Sequence, residues 1–177
     1  MEPDKRPRRR NQRREEKKDS EFDQRVIEVK RVTRVMAGGK RMRFRACVVV
    51  GDGKGRVGVG LAKGADVTIA VNKAALKGQK ALIRVNMVKE TIPHRVWCKY
   101  KAAEVILKPG PAGTGVVAGG PTRSVVELAG IKNIIIKMLG SRNKLNNVKA
   151  TIEALRQLKD IKKDIHGTQS ESTPDKK

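Results

Sequence analysis

Polar and apolar positions alternate regularly from about residue 23 onward and lose all periodicity at both ends. "VIEVKRVTRVM" (26–36) interleaves Val26, Glu28 and Lys30 with Ile27, Val29 and Arg31 before the phase drifts, and its β-branched residues predict a strand. "AGGKR" (37–41) reads as a glycine turn. "MRFRACVVV" (42–50) resumes the alternation, with Arg43 and Arg45 on one face and Met42, Phe44 and Ala46 on the other. Gly51 to Gly55 reads as a second turn, and "RVGVGLA" (56–62) as a third strand with Val57, Val59 and Leu61 on one side. From 64 to 83 the period lengthens. Val67, Ala70, Val71, Ala74 and Leu82 fall near helical spacing, Asp66 is placed to cap the helix, and Lys73, Lys77 and Lys80 form a basic stripe on the opposite side.

A second unit begins near Arg84. "RVNMVKETIPH" is strand-like up to Pro93, and "VWCKYKA" sets Val96, Cys98 and Tyr100 against Trp97, Lys99 and Lys101. "EVILKP" (104–109) follows closely enough to pair with it. A glycine loop from residue 110 runs into a short helix with Pro121 in its first turn and Gly130 as its C-terminal cap. "NIIIKML" (133–139) reads as a buried strand. A last helix repeats Leu145, Val148, Ile152, Leu155 and Leu158 at threes and fours, with Ser141 or Asn143 as its cap. The fold class is therefore α+β in two small domains. Residues 23–83 form a three-stranded antiparallel sheet plus helix, of the double-stranded-RNA-binding kind, and 84–160 form a β-α-β-α sandwich. Residues 1–22 read as a disordered basic arm and 161–177 as a disordered tail.

Charge changes what this fold is for. Lys and Arg number 41 against 18 Asp and Glu, a formal net charge of +23 with pI ≈ 10.6 in 177 residues. Such self-repulsion adds nothing to fold stability and points to a polyanionic partner. A membrane surface is the rival polyanion, but no apolar run approaches the ~18 residues of a spanning helix, and "MEPDKRPRRR" lacks the apolar stretch of a signal peptide. Cys47 and Cys98 read as buried thiols of a reducing cytoplasm. His94 and His166 stand far apart, so no metal site, cofactor or catalytic residue is expected.

One motif argues otherwise. Gly53-Lys54-Gly55-Arg56-Val57-Gly58 matches the G-x-G-x-x-G that cradles nucleotide phosphates. A dinucleotide site needs strand, glycines and then a helix whose N-terminus meets the pyrophosphate. Here a strand follows instead, so a β-hairpin is predicted, with Gly58 and Gly60 leaving room for close approach to the backbone.

Three loops combine cations with glycine-exposed or cap-exposed amides suited to phosphate. The first supplies Arg31, Thr33, Arg34, Gly38, Gly39, Lys40, Arg41 and Arg43. The second supplies Lys54 and Arg56, with Lys63 beyond it, and the third Ser141, Arg142, Asn143 and Lys144. Lys73 and Lys77 of the helical stripe complete the expected RNA-binding set. Phe22, Phe44, Trp97 and Tyr100 are the only aromatics, too few for base-stacking platforms, so structured RNA read by shape and phosphate is the expected partner.

"RVTRVMAGGKRMRFRACVVVGDGKGRVGVGLAKGADV" and "GTGVVAGGPTRSVVELAGIKNIIIKMLGS" resemble the bacterial-type fifth protein of the small ribosomal subunit, over about Arg25 to Leu158. The resemblance implies a cytoplasmic ribosomal protein bound within small-subunit ribosomal RNA, near the channel that takes in messenger RNA, with an influence on decoding accuracy. It implies the fourth and eighth small-subunit proteins as neighbours, and Thr33 to Lys40 as an RNA-inserted loop close to the spectinomycin site. Gly113, Gly115, Gly119, Gly120 and Arg123 match the region facing the fourth protein. The second domain's fold is shared with small-molecule kinases, but their serine-containing phosphate loop has no counterpart at Thr114, Val116 and Val117. A free RNA chaperone would use the same basic surfaces.

Overall fold

The computed structural model describes residues 21–159; nearly all of the predicted basic arm and the whole predicted tail lie outside the described residues. The chain runs β1 (Asp23–Met36), β2 (Gly39–Gly51), β3 (Arg56–Gly64), α1 (Val67–Lys80), β4 (Ile83–Arg84), β5 (Val96–Tyr100), β6 (Ala103–Pro109), β7 (Val116–Val117), α2 (Gly120–Ala129), β8 (Ile134–Gly140) and α3 (Lys144–Arg156). Two four-stranded sheets result, an antiparallel one of order β1-β2-β3-β4 and a mixed one of order β5-β6-β8-β7, in which only β7 and β8 run parallel. The molecule is α+β, as expected. No helix among the described residues is long and apolar enough to cross a membrane.

The drift in β1 has a specific cause. Val26 pairs with Val48 and Glu28 with Cys47, so Ile27 is an extra residue in a β-bulge and every later side chain changes face. Beyond the bulge β1 and β2 extend as a long two-stranded ribbon turned by Ala37 and Gly38, with Gly38 at φ 85° and Gly39 at φ 147°, values that suit glycine.

Each face of the first sheet meets a different layer. On one face β3 places Gly58, Gly60, Ala62 and Gly64 at alternate positions beneath helix α1, whose buried stripe is Ala70, Ala74, Ala75 and Gly78. A Cβ on Gly60 would lie 1.8 Å from the Ala74 carbonyl oxygen, and one on Gly58 2.3 Å from that of Gly78. The room predicted beside these glycines is filled by the helix backbone. On the other face Val49 and Val57 join a core with Val125, Val126, Leu155, Val105 and Leu107, so α2 and α3 are shared between the two sheets. The layers therefore run helix, sheet, helix pair, sheet.

Several local expectations change. Helix α1 is shorter than 64–83, and Asp66 stands at its N-cap without a side-chain bond; its carbonyl accepts from the Ala70 amide at 3.0 Å. Val67, in the first turn, is exposed rather than buried. Of the strand-like stretch 84–93 only Arg84 pairs with β3, and a turn bridged by Val88 and Thr91 breaks the rest. β8 is buried on one face only, because Ile135 and Leu139 point outward. Gly130 does cap α2, in the left-handed conformation at φ 86°, and Asn143 caps α3 through the Leu145 amide at 3.1 Å.

Candidate nucleic-acid interface

The backbone amides of the glycine motif do not form a phosphate cradle in this fold; they are occupied. Gly53 N–H donates to the Leu128 carbonyl at 3.0 Å and Gly55 N–H to that of Ala129 at 2.9 Å. These are orphan carbonyls at the C-terminus of α2, so the turn serves as that helix's cap. Asp52 holds the turn in shape. Its Oδ1 accepts from the Lys54 and Arg56 amides at 2.8 and 3.0 Å, and its Oδ2 from Arg56 Nε at 2.6 Å. Burial alone would raise the Asp52 carboxyl, but the Arg56 side chain and these amides outweigh it and hold it below the ordinary range. A helix C-terminus carries partial negative charge and faces these same amides, the reverse of a phosphate cradle.

Cations gather instead on the ribbon of β1 and β2. After the bulge the register sets Arg34 opposite Arg41, Val32 opposite Arg43, and Lys30 opposite Arg45, which is itself opposite Lys63 of β3. Lys30, Arg34, Arg41, Arg43, Arg45 and Lys63 therefore share one face. Against them stands the Glu28 carboxylate, 3.2 Å from Lys30. Val32, Thr33, Arg34, Met36, Arg41, Arg43 and Lys63 line a groove of about 320 Å³ there. Like charges directly opposite on a sheet cost stability, of the order of 0.2–1 kcal/mol per pair.

The other expected residues are distributed differently. Arg31 pairs with Phe44 in register, Thr33 with Met42 and Lys40 with Val35, so these three alternate to the ribbon's opposite face, with Thr33 still bordering the groove, while Gly38 and Gly39 form the tip. Lys73 and Lys77 are exposed on α1, with the exposed Ile69 and Leu76 on the same outer side. Arg56 is committed within the molecule: its guanidinium contacts Asp52, reaches Glu21 at 2.7 Å and lies 5.1 Å above the Phe22 ring. In the third loop Ser141 and Asn143 are used locally, Ser141 Oγ accepting from the Asn143 amide at 3.2 Å, whereas Arg142 and Lys144 are exposed. Lys30 and Arg45 stood outside the expected RNA-binding set. Alternation alone already put Arg45 on one face with Arg43, and the pairing register of β1 with β2 is what adds Lys30.

Among the residues expected at a protein interface, Gly113 and Gly115 have positive φ of 88° and 70° with open space around them. Asn133 Oδ1 accepts from the Gly115 amide at 3.1 Å and pins that loop. Gly119 packs against the Met138 side chain, and Gly120 shares a small cavity with Lys144, Pro121 and Ser124. Arg123 bonds Glu127 at 2.8 Å.

Both cysteines are buried free thiols; burial first, then Glu28, pushes Cys47 up to about 11. Among the described residues no three His, Cys, Asp or Glu side chains gather as a metal site.

Residues 22–86 match the family profile described as "Ribosomal protein S5, N-terminal domain", and residues 98–168 match "Ribosomal protein S5, C-terminal domain". The chain is 51% identical over 144 residues to small ribosomal subunit protein uS5 of Gloeobacter violaceus, and 52% identical over 147 residues to small ribosomal subunit protein uS5c of Spinacia oleracea. Each match covers 81% of this chain but only 65% and 48% of the respective relative, so the chain spans about half to two thirds of their length.

Proposed function

Because the chain belongs to the bacterial-type ribosomal protein S5 family, we propose that it is a non-catalytic structural constituent of the small ribosomal subunit in the cytoplasm, bound to ribosomal RNA. The observation that carries the reading is the ribbon face, where Arg34 and Arg41 stand directly opposite and Lys30, Arg45 and Lys63 form a row. A free protein gains nothing from that register. A polyphosphate backbone turns the repulsion into binding by releasing its condensed counterions. The few aromatics leave phosphate and shape as the means of recognition.

On the same reading the ribbon inserts into RNA by its glycine tip, while Arg142, Lys144 and the α1 lysines touch neighbouring segments. The fourth and eighth small-subunit proteins are its neighbours, with the Gly113–Gly120 loop and Arg123 facing the fourth. Its placement beside the messenger-RNA channel supports subunit assembly and decoding accuracy.

The test is binding of the full chain to a small-subunit ribosomal RNA transcript across a salt series. Replacing three ribbon cations (R34Q, R41Q and R43Q together) should lower the slope of log K against log salt by about 2–3, since each phosphate contact contributes roughly 0.9. A triple variant with the wild-type slope and affinity would remove the ribbon from the interface.

A further inference from the structure

We propose a second phosphate-binding site at the junction of the two units, a cleft of about 290 Å³ in which Lys54, Arg84 and Lys159 converge on one RNA strand. The proposal rests on the RNA-binding reading above and adds a place and a ligand to it. The three cations come from distant parts of the chain, and each lies on or next to backbone that is hydrogen-bonded.

Lys54 lies in the β2–β3 turn, between the Gly53 and Gly55 amides that cap α2, and its own amide donates to Asp52. Arg84 is fixed by pairing with Arg56 across β3 and β4. The Val85 amide then donates to the Gly55 carbonyl at 2.8 Å, tying the β4 exit to the same turn. Lys159 follows the buried Leu158, whose carbonyl accepts from Asn86 Nδ2 at 2.9 Å. Asn86 itself lines the cleft. Among the described residues none of the three cations is ion-paired to a carboxylate; Asp52, in the same turn as Lys54, is taken up by Arg56.

Three like charges lining one cleft attract an anion whose own charges are spaced along a strand. Val85, Asn86, Met87 and Pro93 line the cleft between them, with Val85 itself buried in the shared core. A phosphodiester segment satisfies the charge requirement, because it can offer successive phosphates to Lys54, Arg84 and Lys159.

The experiment compares the full chain, a cleft variant (K54Q, R84Q and K159Q together) and the ribbon variant on the same ribosomal RNA transcript from 50 to 300 mM salt. The cleft variant should lose about 2–3 from the salt slope, as three contacts at roughly 0.9 each require, and K159E alone, at an exposed position, should weaken binding several-fold with an unchanged urea midpoint. If the ribbon variant loses slope while the cleft variant and K159E both match wild type, the cleft proposal falls and the RNA-binding reading stands. If wild type shows no salt-dependent binding at all, that reading falls and the cleft with it. In a parallel titration with pyrophosphate, a shift of the Asn86 side-chain amide resonance combined with an unchanged RNA slope would assign the cleft to a small phosphate and overturn the RNA assignment.

Discussion

Gly60 shows how much a missing side chain can decide. Its Cα sits so close to α1 that a Cβ would meet the Ala74 carbonyl oxygen at 1.8 Å and the Gly78 amide nitrogen at 2.7 Å. Backbone cannot give way as the end of a flexible side chain can. Gly60→Ala should therefore cost at least about 2 kcal/mol, seen as a lower urea midpoint with an unchanged m value. Gly120→Ala is the control: nothing lies within 4 Å of its Cβ position, and the midpoint should stay within about 1 kcal/mol of wild type. Equal midpoints for the two would mean that the helix does not approach the strand this closely. The alternation with Val57 and Val59 already placed Gly58 and Gly60 on a face of their own, but could not say which element would occupy it. Arg56 is the converse case. Its charge and its place in a glycine turn suggested phosphate, whereas one of its partners, Glu21, lies 35 residues away where local sequence gives no sign of it.

At the scale of elements, strand type and order were largely readable and pairing parity was not. The two-residue turn at Ala37 and Gly38 sets Arg34 opposite Arg41 and so gathers it with Arg43, while the bulge at Ile27 changes the face of the β1 residues that precede it relative to those that follow. The same strand is tied to α2 by Arg25, which donates to Glu127, and Arg123 donates to the second carboxylate oxygen. The hydrogen bond from Arg25 and then that from Arg123 hold the Glu127 carboxyl below its ordinary value of 4.5. A carboxylate depressed in the folded state stabilises the fold at every pH above its unfolded value and loses that contribution as pH falls through the lower folded value. The link between β1 and α2 should thus be intact at pH 6–7 and weaken below about 4.5. E127Q should unfold with a shallower pH dependence than wild type in that acidic window, measured by urea denaturation from pH 3 to 6. Identical slopes would show that the pair contributes nothing to folding.

Across the whole molecule the two profile-matched regions share one core. Val49, Val57 and Val85 pack with Val125, Leu128 and Leu155, and the β2–β3 turn caps α2. The full chain should unfold in a single cooperative transition, and a fragment of residues 21–86 should lack one, because one face of its sheet would lie bare. Calorimetry on both settles it: a fragment with the wild-type melting temperature would mean that the regions fold separately. The α+β class, the main strand and helix periods and the surplus of +23 were all determined by the sequence itself, since period and charge are local or additive properties. The use of the G-x-G-x-x-G amides as a helix cap, the gathering of cations on one ribbon face and the convergence of Lys54, Arg84 and Lys159 were decided only by the tertiary structure. Each depends on which distant backbone a group meets, and a bulge of one residue or a shared helix layer changes that without altering any local pattern.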